Sequence, residues 1–142
     1  MSQENVENFR RGLEAYNRRD FDAQMKELDP DVEWRPALAV LLGGEQAVFR
    51  GHQGVRESIQ EEDEALAMSQ AEISEIRDLG DSVLAIGRFR VRGKESGVPI
   101  ESPFGVLVDY RNGKTIRLRT YLDVDEALAV AGLSEQDAHA DS

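Results

Sequence analysis

A chain of 142 residues with no cysteine is long enough to bury a core and has neither disulfides nor thiolate chemistry to draw on. Its formal net charge of −11 works against a nucleic-acid backbone or an anionic lipid surface as partner, since both call for a basic footprint. No long apolar run is present and the opening MSQENVENFRRG lacks the apolar centre of a signal peptide, so a single cytoplasmic domain over 1–142 is expected, with no membrane and no nucleic-acid partner.

Val6, Phe9, Leu13 and Tyr16 recur at helical spacing and predict an amphipathic helix over 4–18, with Gly12 beside the stripe. Asp20 is placed to cap a shorter helix that turns Phe21, Met25 and Leu28 inward and stops at Pro30. A short strand over 31–35 follows. Alternation sets Val32 and Trp34 on one face and Glu33 and Arg35 on the other, which lets the only tryptophan be buried between two charges. Residues 37–50 are apolar, contain Gly43 and Gly44, and read as a mobile flap ending in a short strand. A helix over about 54–68 turns Val55, Ile59 and Leu66 inward; Glu57, Glu61, Glu62, Asp63 and Glu64 are expected on its solvated face.

Strands are predicted over 70–79, 82–92, 98–110 and 114–122, with turns at 79–81 and at Asn112-Gly113. A last helix over 124–131 has Asp123 and Glu126 at capping-box spacing and a glycine stop, followed by a frayed tail over 134–142. Val83, Ala85, Gly87, Phe89 and Val91 share one strand face. The matching sets are Ile100, Ser102, Phe104, Val106 and Val108, then Ile116, Leu118, Thr120 and Leu122. A three-residue loop at 111–113 would set Phe104 opposite Thr120 and Val106 opposite Leu118. A longer loop at 93–97 would set Gly87 opposite Phe104 and Phe89 opposite Ser102.

This face should meet the helices around a mostly apolar cavity, lined by Tyr16, Trp34, Gly87, Phe89, Ser102, Phe104 and Thr120, with Ala85 and Gly87 leaving room. The opposite face gathers Arg88, Arg90, Arg92, Arg117 and Arg119 with Glu101 and Asp109. Cross-strand ion pairs are expected there, and the same face is where a second subunit would dock to make a homodimer. His52 and His139 are far apart and no cysteine accompanies them, so no metal site and no cofactor are expected.

The segments AYNRRDFDAQMKELDPDVEW, FRGHQGVRE, GDSVLAIGRFRVRGKESG and RNGKTIRLRTYLDVDEALAVAGL together resemble SnoaL-like domains over nearly the full chain. The resemblance implies an α+β, cone-shaped fold of the ketosteroid-isomerase-like, or nuclear-transport-factor-2-like, superfamily. In that fold three or four helices pack on a strongly curved, mainly antiparallel sheet that encloses a pocket. The superfamily holds isomerases, polyketide cyclases, epoxide hydrolases, ligand binders and dimerisation modules, so the fold does not name an activity.

Isomerase relatives place an aspartate base near the end of the first strand, where this chain has Trp34 or Arg35, and an oxyanion tyrosine nearer Gly12 than Tyr16. Epoxide-hydrolase relatives use an Asp–Arg–Asp set; Arg88 matches the arginine, but Arg90 and Thr120 stand at the aspartate positions. No catalytic residue follows. Alternation sends Glu33, Glu101, Asp109 and Asp123 outward, so a cavity without a carboxylate is expected. The leading reading is therefore binding of a small hydrophobic molecule. One alternative is a SnoaL-like enzyme in which a bulge at Pro99 or Pro103 turns Glu101 inward as acid or base. The other is a dimerisation module around an inert pocket.

Overall fold

In the computed structural model, which describes residues 2–133, helices α1 (Ser2–Arg18) and α2 (Phe21–Met25) precede strand β1 (Leu28–Arg35). Then come α3 (Leu38–Leu41), β2 (Phe49–Arg50), α4 (Gly51–Ala65), β3 (Leu66–Asp78), β4 (Ser82–Gly93), β5 (Pro99–Arg111), β6 (Lys114–Tyr121) and α5 (Val124–Val130). The strands form one six-stranded sheet in the order β2-β1-β6-β5-β4-β3. Only β1 and β6 pair in parallel. This is the expected α+β cone, a curved open sheet with helices laid against it. The tail over 134–142 lies outside the described residues.

Helix α1 docks through the predicted stripe: Phe9 is buried, and Val6, Leu13 and Tyr16 pack beside it against Val83, Ala85, Phe104 and Val106. Three asparagines fix its position on the sheet. Asn5 donates to the Gly80 carbonyl at 2.9 Å and Asn8 to that of Gly113 at 2.5 Å, one in each of two hairpin turns. Asn17 exchanges two hydrogen bonds with the Ala71 backbone, both at 3.0 Å, as a neighbouring strand would. Asp20 caps α2 by accepting from Ala23 N–H at 3.1 Å.

Several elements begin or end elsewhere than expected. The strand β1 starts at Leu28, because Pro30 falls in a break of its pairing with β6 between Leu28 and Glu33 and so costs no ladder bond. Helix α4 starts at Gly51, whose φ of +71° suits glycine, and gives way to β3 at Leu66. Part of the 37–50 segment is helical, as α3.

Strands β4 and β5 pair as predicted, Gly87 with Phe104 and Phe89 with Ser102. The β5–β6 register differs. Asn112 and Gly113 both have positive φ, 53° and 75°, and form a two-residue turn closed by the Arg111–Lys114 pair. Alone, that turn would flip every β6 side chain. A bulge after the Tyr110–Thr115 pair restores the facing, so Leu118 meets Val108 and Thr120 meets Val106. Thr115 thereby takes the inward place expected of Ile116.

The convex face carries a second apolar cluster. Leu84 and Leu107 are buried there under Ala127 and Leu128 of α5. Asp123 caps α5 by accepting from Asp125 N–H at 3.0 Å and Glu126 N–H at 3.4 Å. The arginines beside this cluster pair across strands: Arg90 with Glu101 at 3.0 Å, Arg117 with Asp109 at 2.7 Å, and Arg119 with Asp109 at 3.5 Å. Arg88 and Arg92 are exposed.

Candidate ligand-binding site

Between the helices and the concave face lies a cavity of about 130 Å³. Its wall is mostly apolar. Phe89 and Phe104 supply a stacked pair with ring centroids 4.0 Å apart and planes 20° from parallel. Trp34, only 8% exposed, is packed among Met25, Leu28, Val32, Val55 and Ile59 and also faces the cavity. Its flanking charges point away as expected, Glu33 accepting from Arg35 at 3.2 Å and from Arg50 at 3.1 Å. Leu38 and Leu41 of α3 close part of the wall.

One polar group of wall residues lies in a corner where α1, α4 and β3 meet. The Tyr16 hydroxyl donates to Glu62 Oε1 at 2.7 Å and lies 2.5 Å from Ser69 Oγ. Arg19 donates to the same Glu62 oxygen at 2.9 Å and also pairs with Asp63. Arg19 is in the left-handed region, φ 60°, just past the end of α1, and its guanidinium lies 4.7 Å from the Phe21 ring centroid. Burial of the Tyr16 hydroxyl, reinforced by the Glu62 charge, pushes its pKa well above the usual tyrosine range, so it stays a donor. Farther along the wall, Tyr110 is hydrogen-bonded to the Thr115 side chain, and burial raises its pKa too. Glu27 is held by Arg11 at 3.1 Å.

Of the seven residues expected on the wall, Tyr16, Trp34, Phe89, Phe104 and Thr120 line it. Gly87 and Ser102 do not. Gly87 faces the backbone of β3, and a Cβ there would sit 1.9 Å from the Glu72 carbonyl oxygen. It marks a close approach beside the bulge between Ile73 and Glu75, rather than room for a ligand. Ser102 turns its hydroxyl back to the Pro103 carbonyl at 3.0 Å.

The expectation of a cavity without carboxylates is overturned, because Glu62 and Glu27 are both on the wall. Glu101 stays outside, half-exposed and paired with Arg90. The Glu62 position was visible in the sequence as a missing step. Val55, Ile59 and Leu66 leave a gap that residue 62 fills at helical spacing, but its acidic neighbours disguised it as part of the solvated face. Ser69 falls on the face of β3 that carries Ala71, in the part of the strand that precedes its expected start at residue 70.

Residues 9–118 match the family model for the SnoaL-like domain. The chain belongs to that family. Solved structures similar to this SnoaL-like chain include an NTF2-like protein of unknown function from Burkholderia pseudomallei K96243. That protein is 24% identical with a TM-score of 0.75, the alignment covering 89% of this chain and 95% of the other. TerC, co-crystallised with polyporic acid, is also 24% identical, with a TM-score of 0.74 over 92% of this chain and 97% of its own. A protein of ketosteroid-isomerase-like fold from Catenulispora acidiphila DSM 44928, in complex with trimethylamine, is 17% identical with a TM-score of 0.72, covering 89% and 93%. At such identities the likeness shows the fold. No curated protein matches the chain significantly. No helix among the described residues is long and apolar enough to cross a membrane.

Proposed function

We propose that this SnoaL-like domain binds a small, mainly apolar ring compound in the cavity beneath α1 and α4. The cavity carries the reading: about 130 Å³ walled by Trp34, the Phe89–Phe104 stack and aliphatic side chains. An apolar cavity of roughly 150 Å³ takes up benzene, so this one is scaled for a ring. Trp34 on the wall gives a reporter. Titration with a panel of one- and two-ring compounds should change its fluorescence saturably and raise the melting temperature. If no compound does either at millimolar concentration, the reading fails.

The Glu62 carboxylate favours a second reading, turnover of the bound molecule. Taking a proton from carbon next to a carbonyl requires a positioned base, and Glu62 supplies one on the wall. A bound ketone should then exchange its acidic protons with deuterated water, and Glu62→Gln should bind the ketone without exchanging it. Wild-type protein that binds but never exchanges removes this reading and leaves the first.

The pairing of two copies through the convex face is also proposed, on the β3–β4 side that α5 leaves uncovered. Arg88 and Arg92 are exposed there.

A further inference from the structure

The polar corner has a hydrogen-bonding sense. Tyr16 owns one hydroxyl proton, and it goes to Glu62 Oε1. Ser69 Oγ, 2.5 Å from the same hydroxyl oxygen, must then direct its own proton at Tyr16. The Arg19 group that reaches the corner is directed at Glu62 Oε1 as well. The hydroxyl protons of Tyr16 and Ser69 are both used within the corner. Lone pairs on Ser69 Oγ and on the Glu62 carboxylate are what remains for a ligand.

The rings lie next to this corner. Ala71 pairs with Phe89 across β3 and β4, and Ser69 precedes Ala71 by two residues on the same face of β3. At strand rise that separation is roughly 7 Å, which puts the corner beside a ring seated at Phe89.

We infer that the cavity selects ring compounds bearing a hydroxyl or N–H donor, a phenol being the simplest. The ring lies near the Phe89–Phe104 stack and the donor reaches the acceptors of Ser69 or Glu62. A ligand that brings only a carbonyl or ether oxygen to this corner would meet lone pairs. This inference rests on the binding reading above and names the chemical class of its ligand.

The test compares near-isosteres on the full chain, by calorimetry or by Trp34 fluorescence: phenol, toluene and anisole. Phenol should bind at least tenfold more tightly than the other two. Ser69→Ala and, separately, Glu62→Gln should each reduce that preference several-fold. The amide of the second variant can donate, so it should improve the methoxy compound relative to phenol. If Glu62→Gln does not fold, the wild-type series and Ser69→Ala still decide. Equal binding of all three compounds overturns the inference and leaves the binding reading intact. Preference for the methyl or methoxy compound does the same. Binding of none, here or in the wider panel, overturns both.

Discussion

The Tyr16 hydroxyl on α1 donates to Glu62 on α4 at 2.7 Å, across 46 residues of sequence and at the edge of the cavity. The bond joins the two helices that flank the site. It also turns an acidic side chain inward on a helix whose neighbouring carboxylates face solvent. Replacing Tyr16 with Phe keeps the ring packing and removes the donor. Glu62 and Ser69 then lose a partner in a buried corner, and stability should fall by about 1–3 kcal/mol. Urea unfolding of the two proteins measures this, and an unchanged midpoint would mean that the corner carries no structural weight.

Both tyrosines on the cavity wall, Tyr16 and Tyr110, have pKa values raised by burial above the ordinary 10.0. The sign follows from proton binding. Above about pH 10 the unfolded chain releases these protons while the folded chain keeps them, so ν_U is smaller than ν_N and stability declines as pH rises. Below that point the two groups add no pH dependence. Each should contribute a slope of about 1.4 kcal/mol per pH unit above it. Tyrosinate absorbance from both should therefore appear together with loss of tertiary structure. Ionisation of either tyrosine in folded protein at pH 10–11 would contradict the burial.

Trp34 is the anchor between the sheet and α4. It packs on Val55 and Ile59 from the helix and on Leu118 from the neighbouring strand. Trp34→Ala should cost about 3–5 kcal/mol, the range for emptying a large aromatic site in a core. Wild-type emission should be that of a shielded indole, shifted to the blue of free tryptophan. Emission like that of free tryptophan would place the ring in water and sink the claim.

Much of this could be read from the sequence where one periodicity rules an element. The stripe of α1 and the Gly87–Phe104 register are of that kind, since apolar sets of matching spacing admit few alternatives. Bulges break such arguments. The shift beside Ile116 traded it for Thr115, and nothing in TIRLRT marks it. Glu62 was concealed differently, by a charge run that suits a solvated face at every position but one. Gly87 shows that the same residue type has two uses in a sheet. It was expected to leave space, and it instead allows two backbones to approach.

The exposed arginines bear on assembly. Arg90, Arg117 and Arg119 each pair with a carboxylate of their own sheet, though Arg119 Nε is buried without a partner, so a dimer is not driven by unpaired charge on these three. What a second copy can use is the face beyond α5 that presents Arg88 and Arg92. Light scattering at micromolar concentration should return twice the chain mass, and Arg88→Glu should lower it. A monomer at every accessible concentration would remove the pairing.

Gly87 and Gly12 should respond in opposite ways to the same added methyl group. At Gly87 the new Cβ would meet the Glu72 carbonyl oxygen at 1.9 Å, and no rotamer relieves a clash with backbone. The strands β3 and β4 would have to separate at the bulge, so Gly87→Ala should cost at least about 1–3 kcal/mol, the usual range for overpacking. At Gly12 nothing lies within 4 Å of the added atom, and the position is inside α1. Alanine there should stabilise by about 0.5–1 kcal/mol, because glycine loses more backbone freedom on entering a helix. Gly12 also lines the cavity, so the more stable protein is the one in which ligand affinity is open to change. Parallel urea melts of the two variants check both signs at once. A stabilising Gly87→Ala would mean that the close approach of β3 to β4 is wrong, and a destabilising Gly12→Ala would mean that the space beside α1 is not open.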